Sequence, residues 1–316
     1  MMDRDEAERL LGVSRRAEWA FPTSSSGSVL FEPGATWVEP LLAEREAMAE
    51  AARFLVANDE PDAAMELAAN AWRLWLLAGD VAGGREVLAS ILDVDPAPRS
   101  RWRAFAMYGD GLLAFRQGKR EESRRRNEAA LAASDDPEAR VLGLLGLSRV
   151  ALMEGDPERG RLLAGEAREL ARGMRPAMSQ APLHMLAQST RMAGDLDTAA
   201  VLFEESLALN RRIGDPGMVV VELHNLGHVE AHRGNVDAAE LHFAEAASSA
   251  SPDDPYDAAM TNLGRGVVAF VRGDRDLAAS LLAGARETFS AAGIDPAPDD
   301  AAELDRLERA LAEGGA

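Results

Sequence analysis

Apolar residues recur three and four apart over most of this chain, a spacing that predicts amphipathic helices rather than strands. The runs are punctuated by six glycines, Gly79, Gly118, Gly155, Gly194, Gly234 and Gly273, at intervals of 39, 37, 39, 40 and 39 residues. Each glycine closes one helical run and opens another. Asp80, Lys119, Asp156, Asp195, Asn235 and Asp274 follow them directly. A glycine at that place predicts a helix ended in the left-handed conformation, which costs a residue without a Cβ little. Asp-Pro pairs at 95–96, 136–137, 156–157, 215–216, 254–255 and 295–296 predict helix starts, with Asp as the cap and Pro in the first turn.

The pattern is the same from unit to unit. Ala199, Phe203 and Ser206 follow Gly194 by 5, 9 and 12 residues; Ala239, Phe243 and Ala246 follow Gly234, and Ala278, Leu282 and Ala285 follow Gly273, at the same offsets. Seven residues before the anchor stand Gly111, Ser148, Ala187, Gly227 and Gly266, small residues that let two helices approach closely. In the Gly194 unit the first helix is expected to begin at Pro182. A fixed period of this length predicts a stack of helical hairpins that adds core unit by unit. The expected organisation is an N-terminal helix and Ser/Gly-rich loop over 1–36, a solenoid over 37–298 and a capping helix over 299–316. Leu304, Leu307 and Leu311 mark that last helix's apolar face.

These offsets resemble the tetratricopeptide repeat, whose signature places a small residue, Gly, Ala, an aromatic and Ala at such positions. The match is good at Gly194, Gly234 and Gly273, fair at Gly118 and Gly155, and weak at Gly79. The resemblance implies an all-α, right-handed α-solenoid of about six to seven hairpins. More narrowly, Leu223-His224-Asn225-Leu226-Gly227, Phe203-Glu204-Glu205-Ser206-Leu207-Ala208-Leu209 and Ala71-Trp72-Arg73-Leu74-Trp75 resemble the repeat arms of actinobacterial MalT-like and LuxR-type signal-transduction ATPase regulators. No Gly-Lys-Ser/Thr phosphate loop accompanies them, so the nucleotide-driven part of such regulators is missing from this sequence. Leu10-Leu11-Gly12-Val13-Ser14 also resembles the turn of a helix-turn-helix; the competing expectation is a single helix over Asp5–Trp19 folded back on the first repeat.

Composition narrows the function classes. A net charge of −19 opposes nucleic-acid binding, since phosphate contacts need an excess of Lys and Arg. With no cysteine, disulfides, thiol catalysis and thiolate metal sites are excluded. Neither a signal peptide nor an apolar run long enough for a membrane span is present in the sequence, which predicts a cytoplasmic location. Lys119 is the sole lysine among 34 basic residues, a bias expected of a GC-rich, actinobacterial genome. No Gly-x-Ser-x-Gly or His-Glu-x-x-His occurs, and the reading is non-enzymatic, with no cofactor and no metal.

The resemblance also implies which positions line the concave groove: 13, 10, 6, 3 and 2 residues before each anchor. They include Arg149 in the Gly155 unit, His184, Gln188 and Arg191 in the Gly194 unit, and His224, His228 and His232 in the Gly234 unit. The histidines of the Gly234 unit form one stripe at i, i+4 and i+8. Three readings stay open: local hydrogen bonding at polar positions, a grip on a carboxylate or phosphate, and a zinc site, which lacks a specified fourth ligand. Phe105, Tyr108, Leu112 and Phe115 fall at or beside groove offsets, as core or as an apolar floor for an amphipathic peptide. Residues 99–126 carry nine basic against three acidic residues. Arg116, Arg120, Arg124 and Arg125 are thus either a solvated face or a docking patch for an acidic partner, a second copy included. The leading expectation is an interaction scaffold holding a protein or peptide in the groove; the alternative is a small-molecule sensor linked to transcription control.

Overall fold

The computed structural model describes residues 2–20, 38–93, 99–250 and 254–313, and the described secondary structure is entirely helical. The expected loop at Thr23–Ser28 and the Asp95-Pro96 pair lie outside these residues. The chain forms two compact units, residues 1–189 and 190–316.

The first unit opens with α1 (Arg4–Ala20), α2 (Val38–Ala43) and α3 (Arg45–Ala57), followed by the hairpins α4 (Pro61–Leu77)/α5 (Val81–Leu92), α6 (Arg101–Arg116)/α7 (Arg120–Ala133) and α8 (Pro137–Met153)/α9 (Pro157–Ala171). Most of α10 (Pro176–Met192) completes it. The second unit contains the last turn of α10, then α11 (Leu196–Ile213), α12 (Pro216–His232)/α13 (Val236–Ser249), α14 (Pro255–Val271)/α15 (Arg275–Ala292) and α16 (Pro298–Glu313).

Every anchor glycine has the predicted left-handed backbone, with φ from 71° at Gly118 to 90° at Gly194. The hydrogen bonds explain why three linking residues suffice. At the first anchor the Asp80 N–H donates to the Trp75 carbonyl and the Gly79 N–H to that of Leu76, at 2.9 and 3.1 Å. This paired closure of a helix end recurs at the five other anchors. The residue after glycine then starts the next helix. The carboxylates of Asp80, Asp156, Asp195 and Asp274 each accept the N–H three residues on. Lys119 and Asn235 occupy the same place without a side-chain cap.

A further closure of this type escaped the glycine pattern. Asp59 takes φ 60°, and the Glu60 N–H donates to the Leu55 carbonyl, so α3 ends as the other first helices do, on a residue that is not glycine.

Large side chains fill the space that small residues leave. Gly109 abuts Trp72, Gly84 abuts Trp75, and both Gly227 and Gly264 press on the ring of Phe243. Phe203, Phe243 and Leu282, equivalent in successive repeats, are buried.

Three expectations need correction. Leu10 to Ser14 lie inside an uninterrupted α1, so no helix-turn-helix forms; Ala7, Leu10 and Val13 are buried, and Arg9 and Arg15 bond Glu44 and Glu66. α10 begins at Pro176 and carries Pro182 inside it; the missing N–H costs one rung of the helical ladder rather than the helix. Asp295-Pro296 lies in a link, and α16 begins at Pro298.

Candidate functional site

In the first unit, the inner faces of α4, α6 and α8 and the start of α10 border a cleft of about 450 Å³, much of it open to solvent. Trp72, Phe105, Tyr108, Leu142 and Met178 form its floor. Trp72 and Tyr108 meet edge to face at 6.1 Å, which fixes both rings. The Arg73 guanidinium lies over the Trp72 ring at 4.4 Å, and Arg101 over Phe105 at 5.0 Å. Arg149, expected in the groove, is buried behind this floor, its Nη1 donating to the Tyr108 hydroxyl at 3.0 Å. Arg175 sits on the rim with Glu138, which also accepts from Arg101 at 3.1 Å. Of the residues expected as core or as an apolar floor, Phe105 and Tyr108 line the cleft and Leu112 is core.

The arginines of the expected patch divide. Arg124 is bound to Glu154, whereas Arg116, Arg120 and Arg125 stay exposed. Behind them Arg85 and Arg126 bracket the buried Asp110 at 2.8 and 2.5 Å. Part of the positive charge seen in the sequence is therefore spent on holding α6 against its neighbours. His184 is buried and Gln188 half-buried within the first unit.

The second unit treats its groove positions differently. Arg191, His228 and His232, expected to face an open groove, are covered by α16. Arg191 donates from Nη2 to Asp299 Oδ2 at 3.2 Å and from Nη1 to Glu303 Oε1 at 3.4 Å. His232 Nε2 shares a hydrogen bond with Glu303 Oε2 at 3.0 Å, and His228 Nδ1 lies 3.9 Å from the same oxygen. Beside them the Tyr256 hydroxyl donates to Asp300 Oδ2 at 2.5 Å and accepts the Ala297 N–H at 2.9 Å, fixing the start of α16.

Burial governs the electrostatics. His224 and His228 lie against Phe243, and their ring nitrogens find no hydrogen-bond partner among the described residues. Desolvation lowers His224 to about 4 and His228 to about 3, so both are neutral near pH 7. Burial raises the Asp300 carboxyl, with the Asp299 charge adding to it, to about 7. Burial also works on Glu303, but the His232 hydrogen bond and the charge of Arg191 outweigh it and hold that carboxyl at about 2. Among the described residues no group of His, Asp and Glu has the arrangement to hold a metal ion. Tyr256, Asp299, Asp300 and Glu303 were missed by sequence reasoning; the one available signal was the i, i+4 spacing of Asp299 and Glu303.

No family model matches this sequence, and no curated protein matches it. Solved structures do. A Rap protein complexed with Competence and Sporulation Factor superposes with a TM-score of 0.63 at 14% identity, over 90% of this chain and 77% of that one. A tetratricopeptide repeat protein from Parabacteroides merdae gives 0.54 at 12% identity, over 85% and 99%. Pseudomonas aeruginosa pilF gives 0.53 at 19% identity, over 73% and 94%. At such identities the likeness speaks for the backbone alone, and with the repeated glycine closures it gives this chain the tetratricopeptide-repeat fold.

Proposed function

We propose that this protein is an interaction scaffold whose first unit holds an acidic peptide segment bearing a large apolar side chain. The observation that carries the reading is the cleft over Trp72, Phe105 and Tyr108, edged by Arg73 and Arg175. Trp, Tyr and Arg are the residue types that concentrate binding energy at interfaces. An apolar side chain seated on the floor would gain about 25 cal/mol for each Å² removed from water, while a guanidinium fork suits a carboxylate. The Rap protein's complex with its factor supports the reading only in that a fold of this kind can carry a partner.

The test is selection from a displayed peptide library. Binders should combine Asp or Glu with Leu, Phe or Trp, and Arg73→Glu with Arg175→Glu should weaken them at least about tenfold while the melting temperature holds. A folded protein that enriches no such sequences would sink the proposal.

The cleft is lined mostly by apolar and aromatic side chains with a few charged groups at its edge, the make-up of small-molecule sites. That supports the second reading, a sensor acting as the arm of MalT-like or LuxR-type regulators would, tied to transcription control. A metabolite that raises the melting temperature of the native chain, and fails to do so in the Arg73→Glu variant, would select it.

A further inference from the structure

The second unit carries its own clue to what it binds. Asp299 and Glu303 are one helical turn apart on α16, and they meet Arg191, His228 and His232, three side chains contributed by α10 and α12. The acceptors come from one helix and the donors, Arg191 and His232, from two others far away in sequence. The rest of α16 is held by an apolar face that packs on Leu263, Leu282 and Phe289. Glu303, Leu304 and Leu307 are its buried residues, Leu311 is half-buried, and the link before it runs through Gly293 and Pro296. Arg286 of α15 adds bonds to Asp305 and Glu308 at the surface, and Arg275 adds half-buried bonds to the last carbonyls.

From this arrangement we infer that Arg191, His228 and His232 form a recognition site for an acidic helix with carboxylates at i and i+4, and that α16 is its internal occupant. The ligand is a helix of a separate partner protein that displaces α16. Charge complementarity supports this occupant: the site presents a guanidinium, which never deprotonates, and an imidazole edge, and its present contents are two carboxylates. Geometry supports it as well. The donors sit at the ends of two helices, so they read spacing along a helix rather than a single charge. An arginine buried to this depth strands its charge once its acidic partners leave; α16 can therefore depart only when another acidic segment arrives, which makes exchange the expected mode of binding. The inference rests on the scaffold reading but uses different residues, so variants of the first-unit cleft leave it untouched.

The experiment uses the full chain and a labelled synthetic peptide with the sequence of residues 295–313. Excess peptide should increase hydrogen exchange over 298–313 of the unlabelled wild-type chain, because the internal helix is released. Fluorescence anisotropy should show saturable binding. A D299K/E303K peptide should bind at least about tenfold more weakly. The chain variant Arg191→Glu should reverse that preference, favouring the D299K/E303K peptide. Should Arg191→Glu lose helicity, His232→Glu, on a more exposed ring, provides the same reversal. No change in exchange of α16 at saturating peptide, or indifference of binding to the charges at 299 and 303, overturns the inference. A concentration-dependent dimer that exchanges α16 between copies, with no response to peptide, also overturns it and assigns the site to a second copy of this chain. Loss of library binding in Arg73→Glu with peptide exchange intact would separate the two proposals.

Discussion

Asp156 belongs to two helices at once: its N–H closes α8 on the Ala151 carbonyl, and its carboxylate caps α9 through the Arg159 N–H at 3.0 Å. Replacing it with Ala removes only the second function, so Asp156→Ala is expected to cost about 1 kcal/mol in urea unfolding. Lys119 shows the reverse. It stands where the other repeats have Asp or Asn, has no side-chain cap, and brings a positive charge to the positive end of α7. Lys119→Asp should therefore raise stability by about 0.5–1 kcal/mol, and an unchanged unfolding midpoint would contradict this. Gly227 is fixed by space rather than by backbone. Its φ is not in the left-handed region, yet a methyl there would overlap the edge of the Phe243 ring. Gly227→Ala should cost about 1–3 kcal/mol through overpacking. The glycine and Asp signals were legible in sequence because their causes act within five residues. Asp59 was not, because a strained non-glycine in the same backbone state leaves no compositional mark.

At the scale of elements, α12 and α16 are held together by groups whose charge depends on pH, and the signs differ. His224 and His228 are neutral in the native state, with values depressed from 6.5 to about 4 and about 3. The unfolded chain therefore binds more protons below pH 6.5, and stability present above that pH is lost as pH falls. Asp300 acts oppositely: raised from 3.8 to about 7, it favours the native state at low pH and withdraws that support as pH rises through 7. Glu303, depressed from 4.5 to about 2, matters only in stronger acid, where stability present above pH 4.5 disappears. Two histidines against one aspartate leave a net loss of up to about 1.4 kcal/mol per pH unit between pH 6.5 and 5. Urea unfolding at pH 7 and 5.5 measures it. The double variant His224→Leu/His228→Leu should reverse the slope, since only Asp300 then titrates in this range. Sequence placed these histidines on one stripe of one helix, and they are on it. What it could not give was their burial, because Glu303 reaches His232 from 71 positions away and Arg191 from 112.

For the molecule as a whole, charge is distributed less simply than the net value of −19 suggests. Arginines in the basic segment are divided between the Asp110 core, the Glu154 and Glu138 pairs and the exposed positions 116, 120 and 125. Surface pairs of this kind contribute little each. Hence Arg124→Ala should shift stability by less than about 0.5 kcal/mol, whereas Asp110→Ala, which leaves Arg85 short of its buried partner, should cost about 3 kcal/mol or more. Thermal or chemical unfolding of the two variants separates the cases.

By itself the sequence determined the repeat and the glycine-closed helix ends, because capping, left-handed closure and the approach of small residues to Phe243 act over short distances or recur from unit to unit. The repeat resemblance named the side chains expected at the inward positions. Only the tertiary structure decided which of those positions remain open. Trp72, Phe105 and Tyr108 border a cleft in the first unit, while Arg191, His228 and His232 are covered in the second by a helix whose docking depends on contacts up to 112 residues apart. A local pattern fixes the direction of a side chain; what meets it is set by contacts with helices distant in sequence.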